Sequence, residues 1–117
     1  MVSIALTLTL TQTAQDDLLE AWLYIAKEDQ QAADGVLDVI DREARTLLLQ
    51  PLMGRARPEL AAGVRSWPTS TPYILFYVAN TQGITVVRVL HHARDVRLAA
   101  FDELGQRKTD VPTQDGD

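Results

Sequence analysis

Tyr73-Ile-Leu-Phe-Tyr-Val-Ala-Asn-Thr-Gln-Gly-Ile-Thr-Val-Val-Arg-Val-Leu-His-His-Ala-Arg-Asp95 is the stretch that decides how this chain folds. Apolar and β-branched residues run from Pro72 to Val78 and again from Ile84 to Leu90, so two strands are expected. Between them Asn80-Thr-Gln-Gly83 is a hairpin turn, in which Gly83 is free to take a positive φ. The second strand runs directly into a knot of Arg, His and Asp side chains. A sheet that ends in such a cluster is a candidate site, and the rest of the chain is a small scaffold to hold it.

Upstream, Val64-Arg-Ser-Trp67 reads as a short strand stopped by Pro68, which makes a three-stranded antiparallel meander with the hairpin. Ser3 to Leu10 alternates Ile4, Leu6, Leu8 and Leu10 against polar residues, the signature of a half-buried strand. Thr11 or Thr13 then caps a helix, with Asp16 and Asp17 assigned to its first turn, where the dipole favours negative charge. Ala14, Leu18, Ala21, Trp22 and Ile25 form its apolar face. A second helix over residues 31–49 carries the stripe Ala33, Leu37, Ile40, Ala44, Leu47 and Leu48, and Pro51 ends it. The two helices are expected to form an antiparallel hairpin on one face of the sheet. Ala93 to Leu104 is expected to form a short terminal helix. The fold class is therefore α+β in one domain over residues 1–105, with a disordered polar tail over 106–117.

The 117 residues suit one domain, and 46% of them are hydrophobic, enough for a single core. The absence of cysteine excludes disulfides and thiolate metal sites. No run approaches the roughly 18 apolar residues of a membrane span, and the first basic residue is Lys27, so no signal peptide is read. A cytoplasmic protein is expected. Net charge is −5, unevenly spread: residues 51–100 hold six basic side chains, all arginine, against two acidic ones. That cationic block suits phosphates or an acidic protein partner, while the acidic total argues against binding nucleic acid unaided.

His91 and His92 are neighbours at a strand end, so their side chains are expected on opposite faces, and no metal site is read from them. One is expected exposed beside the cationic cluster and the other hydrogen-bonded within the strand end. Arg88 has two readings, an ion pair with the helix hairpin or a donor fork for phosphate or carboxylate. Arg94 likewise either pairs with Asp95 or faces a partner. Arg55, Arg57 and Arg65 flank the loop before the meander. Because Ile74, Phe76 and Val78 are the more apolar set, they are expected to face the helices. Tyr73 and Tyr77 are then expected on the open face. No catalytic set and no cofactor motif is present: G-x-S-x-G, a P-loop, H-E-x-x-H and a dinucleotide fingerprint are all missing from the sequence.

Taken in order, Leu10-Thr-Gln-Thr-Ala14, Trp22-Leu-Tyr-Ile25, Leu49-Gln-Pro51, Gly54-Arg-Ala-Arg-Pro-Glu-Leu60, Gly63-Val-Arg-Ser66 and Val87-Arg-Val-Leu-His-His-Ala-Arg-Asp95 give a chain that resembles the ParE branch of the RelE/ParE toxin superfamily. The resemblance implies a type II toxin that binds DNA gyrase and traps its DNA complex. It also implies a ParD-like antitoxin that wraps the toxin in a hetero-oligomer. On this reading Arg65, Arg88, His92 and Arg94 meet the target, and Trp22, Tyr24, Arg57, Tyr73 and Tyr77 meet the antitoxin. The sibling RelE-like branch cuts mRNA on the ribosome with lysines, arginines and a C-terminal tyrosine. This chain has no lysine between Lys27 and Lys108 and no tyrosine after Tyr77, and Ile74 stands where that branch carries arginine. A ribosome-dependent endonuclease using His91 or His92 is the alternative, and an inactive toxin fold kept as a binding partner is a third.

Overall fold

The structure is a computed structural model and describes residues 5–94 together with Val96, Ala99 and Phe101. Its elements are β1 (Thr7–Leu10), α1 (Gln12–Ala26), α2 (Gln30–Leu49), β2 (Arg55–Ala56), β3 (Val64–Pro68), β4 (Tyr73–Asn80) and β5 (Gly83–His91). They form a five-stranded sheet in the order β1-β5-β4-β3-β2. The meander β3-β4-β5 is antiparallel as expected, and β1 joins it parallel to β5, with Thr7 opposite Gly83 and Leu10 opposite Val86. The short β2 beside β3 was not foreseen, since its two residues Arg55 and Ala56 carry no strand pattern. The expected helix over Ala93 to Leu104 falls largely on residues outside the described set, as does the tail from Gln106.

Local chemistry sets each boundary. Thr11 caps α1 by accepting from the Ala14 amide at 3.0 Å, and Asp29 caps α2 by accepting from Ala32 at 3.0 Å. In the β4–β5 turn the Gln82 amide donates to Asn80 Oδ1 at 2.7 Å. Gly83 has φ +147°, and a Cβ there would collide with the Thr7 backbone, so glycine is what lets β1 lie against the start of β5.

The helices cover one face of the sheet, and the tyrosines are on it. Tyr73, Leu75 and Tyr77 pack with Ala14, Ala21, Ile40, Ala44 and Leu47, whereas Phe76 packs with Val64, Val87, Leu90 and Phe101 on the opposite side. This reverses the expectation that Tyr73 and Tyr77 lie on an open face. The physical reason is twofold. Small alanines on α1 and α2 leave room for the phenol rings. The far face has its own cover, because Leu60, Ala61, Val96, Ala99 and Phe101 shield Phe76.

A second departure from simple alternation lies in β5. Phe76 pairs with Arg88 but Tyr77 pairs with Val86, so Val87 is an extra residue in a β-bulge. Ile84, Val86 and Val89 face the helices, and Val87 and Leu90 face away.

Beyond the bulge, β5 has no strand on its outer side, because β1 stops at Leu10. Helix α1 takes that place. The Thr11 amide donates to Val86 O at 3.0 Å and the Thr11 hydroxyl to Val87 O at 3.1 Å. One turn and a half later the buried Asp17 carboxylate accepts from the Val89 amide at 3.0 Å, from Arg88 Nε at 2.8 Å and from Arg88 Nη2 at 3.0 Å. Asp17 therefore sits past the first helical turn and serves the sheet edge rather than the helix dipole. Arg88 is 7% exposed. Of its two readings the ion pair with the helix hairpin is the one realised, which removes Arg88 from the surface offered to a target.

Removing one partner leaves a buried charge uncompensated, so Asp17→Ala is expected to lower the unfolding free energy by about 3–5 kcal/mol. Replacing the pair together, Asp17→Leu with Arg88→Met, is expected to recover most of that loss in a urea denaturation series. A single variant with an unchanged midpoint would show the pair to be energetically idle.

Candidate functional site

Where α1 crosses the end of β5, a cleft of about 420 Å³ opens. Glu20, Ala21 and Tyr24 of α1 form one wall, Tyr73, Val89, Leu90 and His91 the other, with Asp17 and Arg94 also lining it. The spacing explains the first wall: Asp17, Ala21 and Tyr24 lie on one side of a helix three or four residues apart, and Glu20 precedes Tyr24 by four. The second wall exists because β4 begins at Tyr73, directly opposite His91 at the end of β5.

Polar groups converge there. Tyr73 is 7% exposed, and burial raises its phenol pKa, with the nearby Tyr24 and Glu20 adding to the effect. The phenol is thus held protonated, as a hydrogen-bond donor. His91 meets the Tyr73 ring edge-on at 5.3 Å. Its Nδ1 accepts from the Ala93 amide at 3.1 Å, so in the neutral ring the proton sits on Nε2. The His92 ring stacks on His91 at 4.6 Å with an interplanar angle of 26°. The expected opposition of the two rings fails because β5 ends at His91 and the chain turns, with the His92 amide bonded to Pro72 O at 2.8 Å and the Arg94 amide to His91 O at 2.9 Å. No cluster of three or more His, Asp or Glu residues suited to a metal ion occurs among the described residues.

The sequence-derived candidates are thus divided among four places. Tyr24, Tyr73 and Arg94 line the cleft, and His92 lies beside it on His91. Trp22 joins the helices by donating from Nε1 to Asp34 at 2.8 Å, and Tyr24 is 68% exposed with Lys27 Nζ 5.6 Å from its ring centre. Arg57, Arg65 and Tyr77 stand at the opposite end of the sheet. Arg57 binds Glu59 at 2.7 Å and Ser66 Oγ at 3.3 Å, and Arg65 donates to Gly54 O at 2.7 Å. The fourth place is the interior, where Arg88 is buried.

Glu20 escaped the sequence reading although its i, i+4 spacing to Tyr24 was visible. Only the crossing of α1 over β5 turns that helix face into a cleft wall. The cleft brings together the Glu20 carboxylate, the Tyr24 and Tyr73 phenols, the His91 imidazole and the Arg94 guanidinium. Ala21 and Val89 supply its apolar base. Such a surface suits the side chains of a protein segment carrying both charges.

The layout of this sheet and helical hairpin is that of a known class of toxin–antitoxin proteins. A solved chain of the chromosomal ParDE toxin–antitoxin system from P. aeruginosa superposes with a TM-score of 0.63 at 21% identity, covering 76% of this chain and 98% of that one. No curated protein sequence matches the chain significantly. The family model for the ParE toxin of the type II toxin–antitoxin system parDE matches residues 8–96, and the chain belongs to that family. No described helix is long and apolar enough to cross a membrane.

Both buried phenols have a pH consequence. The folded pKa of Tyr73 lies above the ordinary value of 10.0, and so does that of Tyr77, where burial outweighs the opposing Gly54 amide and Arg65 charge. A raised folded pKa gives stability that is complete below the unfolded pKa and lost as pH rises through the folded one. The urea midpoint is therefore expected to hold steady from pH 7 to about 9 and to fall above about pH 10. Tyr73→Phe is expected to make that alkaline fall shallower. An identical alkaline limb in the variant would show that Tyr73 does not titrate with folding.

Proposed function

We propose that this ParE-family toxin acts by binding DNA gyrase and trapping its DNA complex, and that a ParD-type antitoxin neutralises it by wrapping the toxin. The observation that carries the proposal is family membership across residues 8–96. The cleft at the end of β5 supports it by supplying a contact surface with the mixed charge and apolar base of a protein-docking site. Arg94 and His92, exposed beside that cleft, are the target-facing groups in this reading. Tyr24 and Tyr73 line the cleft and Trp22 stands on the adjoining helix hairpin, and these three belong to the antitoxin contact. Arg57, Arg65 and Tyr77 act at the other end of the sheet, where they fix a loop.

One observation favours a second reading. His91, Tyr73, Arg94 and Glu20 share a cleft, and a histidine with a phenol and a guanidinium is a plausible set for proton transfer beside a phosphate. On that reading the chain cleaves translated mRNA, with His91 rather than His92 in the cleft.

A plasmid supercoiling assay with purified gyrase separates the two. The gyrase reading expects micromolar toxin to suppress supercoiling and to accumulate cleaved plasmid, with equimolar antitoxin reversing both. Arg94→Glu is expected to weaken the inhibition by about tenfold or more, in line with loss of a charged contact. Undisturbed supercoiling together with transcripts cut in the presence of ribosomes would replace the gyrase reading with the nuclease one.

A further inference from the structure

The turn that follows α2 is held at nearly every polar backbone group, yet it displays large apolar side chains to solvent. Tyr77, fully buried, donates its hydroxyl to Pro51 O at 2.7 Å and accepts from the Gly54 amide at 2.9 Å. Arg65 reaches the same turn from β3 and donates to Gly54 O at 2.7 Å and more weakly to Leu52 O at 3.5 Å. The Met53 amide closes the turn on Gln50 O at 3.0 Å. Gly54 lies against the Tyr77 ring so closely that any Cβ would strike the phenol. On this rigid support Leu49 is 73% exposed, Leu52 71% and Met53 37%.

Folding alone gives no reason for this arrangement. A buried phenol and a guanidinium fix a turn whose own apolar residues contribute little to the core. Fixing a loop before it meets a partner does reduce the ordering cost of association, and Met and Arg are enriched where interfaces form. The charge around the turn indicates what the partner carries. Residues 49–65 carry Arg55, Arg57 and Arg65 against one carboxylate, Glu59, which Arg57 already holds, and Arg65 reaches the turn itself. Arg55 is exposed and forms no ion pair among the described residues. This local excess of positive charge stands out on a chain of net charge −5. The other exposed apolar pair, Leu19 and Leu23 on α1, lies instead among Asp16 and Glu20.

We infer that the Leu49–Arg55 corner is a second docking point, separate from the cleft, and that it seats an acidic amphipathic segment of the antitoxin. The apolar residues of that segment cover Leu49, Leu52 and Met53, and its carboxylates face Arg55. The inference rests on the proposal that a ParD-type antitoxin binds this toxin.

The test measures the affinity of the full-length cognate antitoxin for the toxin by calorimetry, alongside gyrase inhibition. Leu49→Ser with Leu52→Ser is expected to weaken antitoxin binding at least about 30-fold, as for loss of two central anchors. Both residues are exposed, so the thermal midpoint is expected to be unchanged and gyrase inhibition retained. Arg55→Glu is expected to weaken binding about tenfold at low salt and clearly less at 0.5 M salt, where exposed charges are screened. Wild-type binding with an undiminished double variant would overturn the inference and leave the antitoxin reading intact. So would a double variant that loses gyrase inhibition while keeping the antitoxin, since the corner would then serve the target. A wild-type toxin that dimerises alone and is made monomeric by the double substitution would assign the corner to a second copy and overturn the inference as well. Failure of the wild-type toxin to bind the antitoxin would overturn both readings.

Discussion

Asp17 governs how the helices meet the sheet. Its carboxylate accepts from the Val89 amide and from both Arg88 Nε and Nη2, and both ionised partners are buried. A strand edge left bare inside a protein carries unsatisfied amides. Here β1 is only four residues long, while β5 continues to His91. The gap is filled in sequence order by the Thr11 amide, the Thr11 hydroxyl and the Asp17 carboxylate, so one helix entry supplies what a longer strand would have supplied. A buried ion pair adds little to stability against an apolar alternative. Its value here lies in position, because only one rotation and depth of α1 satisfies all three donors.

The cleft follows from that same docking. Once Asp17 is fixed against β5, Glu20, Ala21 and Tyr24 must lie over the strand's last residues, where Tyr73 and His91 face each other across the β4–β5 pair. The β-bulge at Val87 is part of the same device. It shifts the alternation so that Val89 faces the helices and presents its amide toward α1. The group that positions α1 and the surface proposed to receive a partner thus adjoin one another, as expected for a small toxin with little interior to spare.

At the far end of the sheet a different solution appears. Tyr77 was expected on the open face, but its hydroxyl is engaged by the turn between α2 and β2, which Arg65 also reaches through Nη1. What they expose is their neighbours, Leu49, Leu52 and Met53. The two ends of the sheet therefore differ in chemistry, with a mixed-charge cleft at one and, at the other, an exposed apolar corner that Arg65 braces.

The order β-α-α-β-β-β, the hairpin at Asn80–Gly83 and the apolar stripes of both helices were legible from local pattern, because strand alternation, helical spacing and turn chemistry act over a few residues. Thr11 as a cap and the Pro51 stop belong to the same category. Residues whose meaning depends on partners far along the chain were not legible. The Asp17–Arg88 pair spans 71 positions, so sequence could offer an ion pair as one of two readings of Arg88 without choosing its acceptor. The face taken by Tyr73 and Tyr77 was misread because greater apolarity was assigned to the helix side. Alanines on α1 and α2 admit aromatic rings, and a separate segment covers the other side. Periodicity fixes which residues share a face, and only packing against the rest of the chain decides which face is inside.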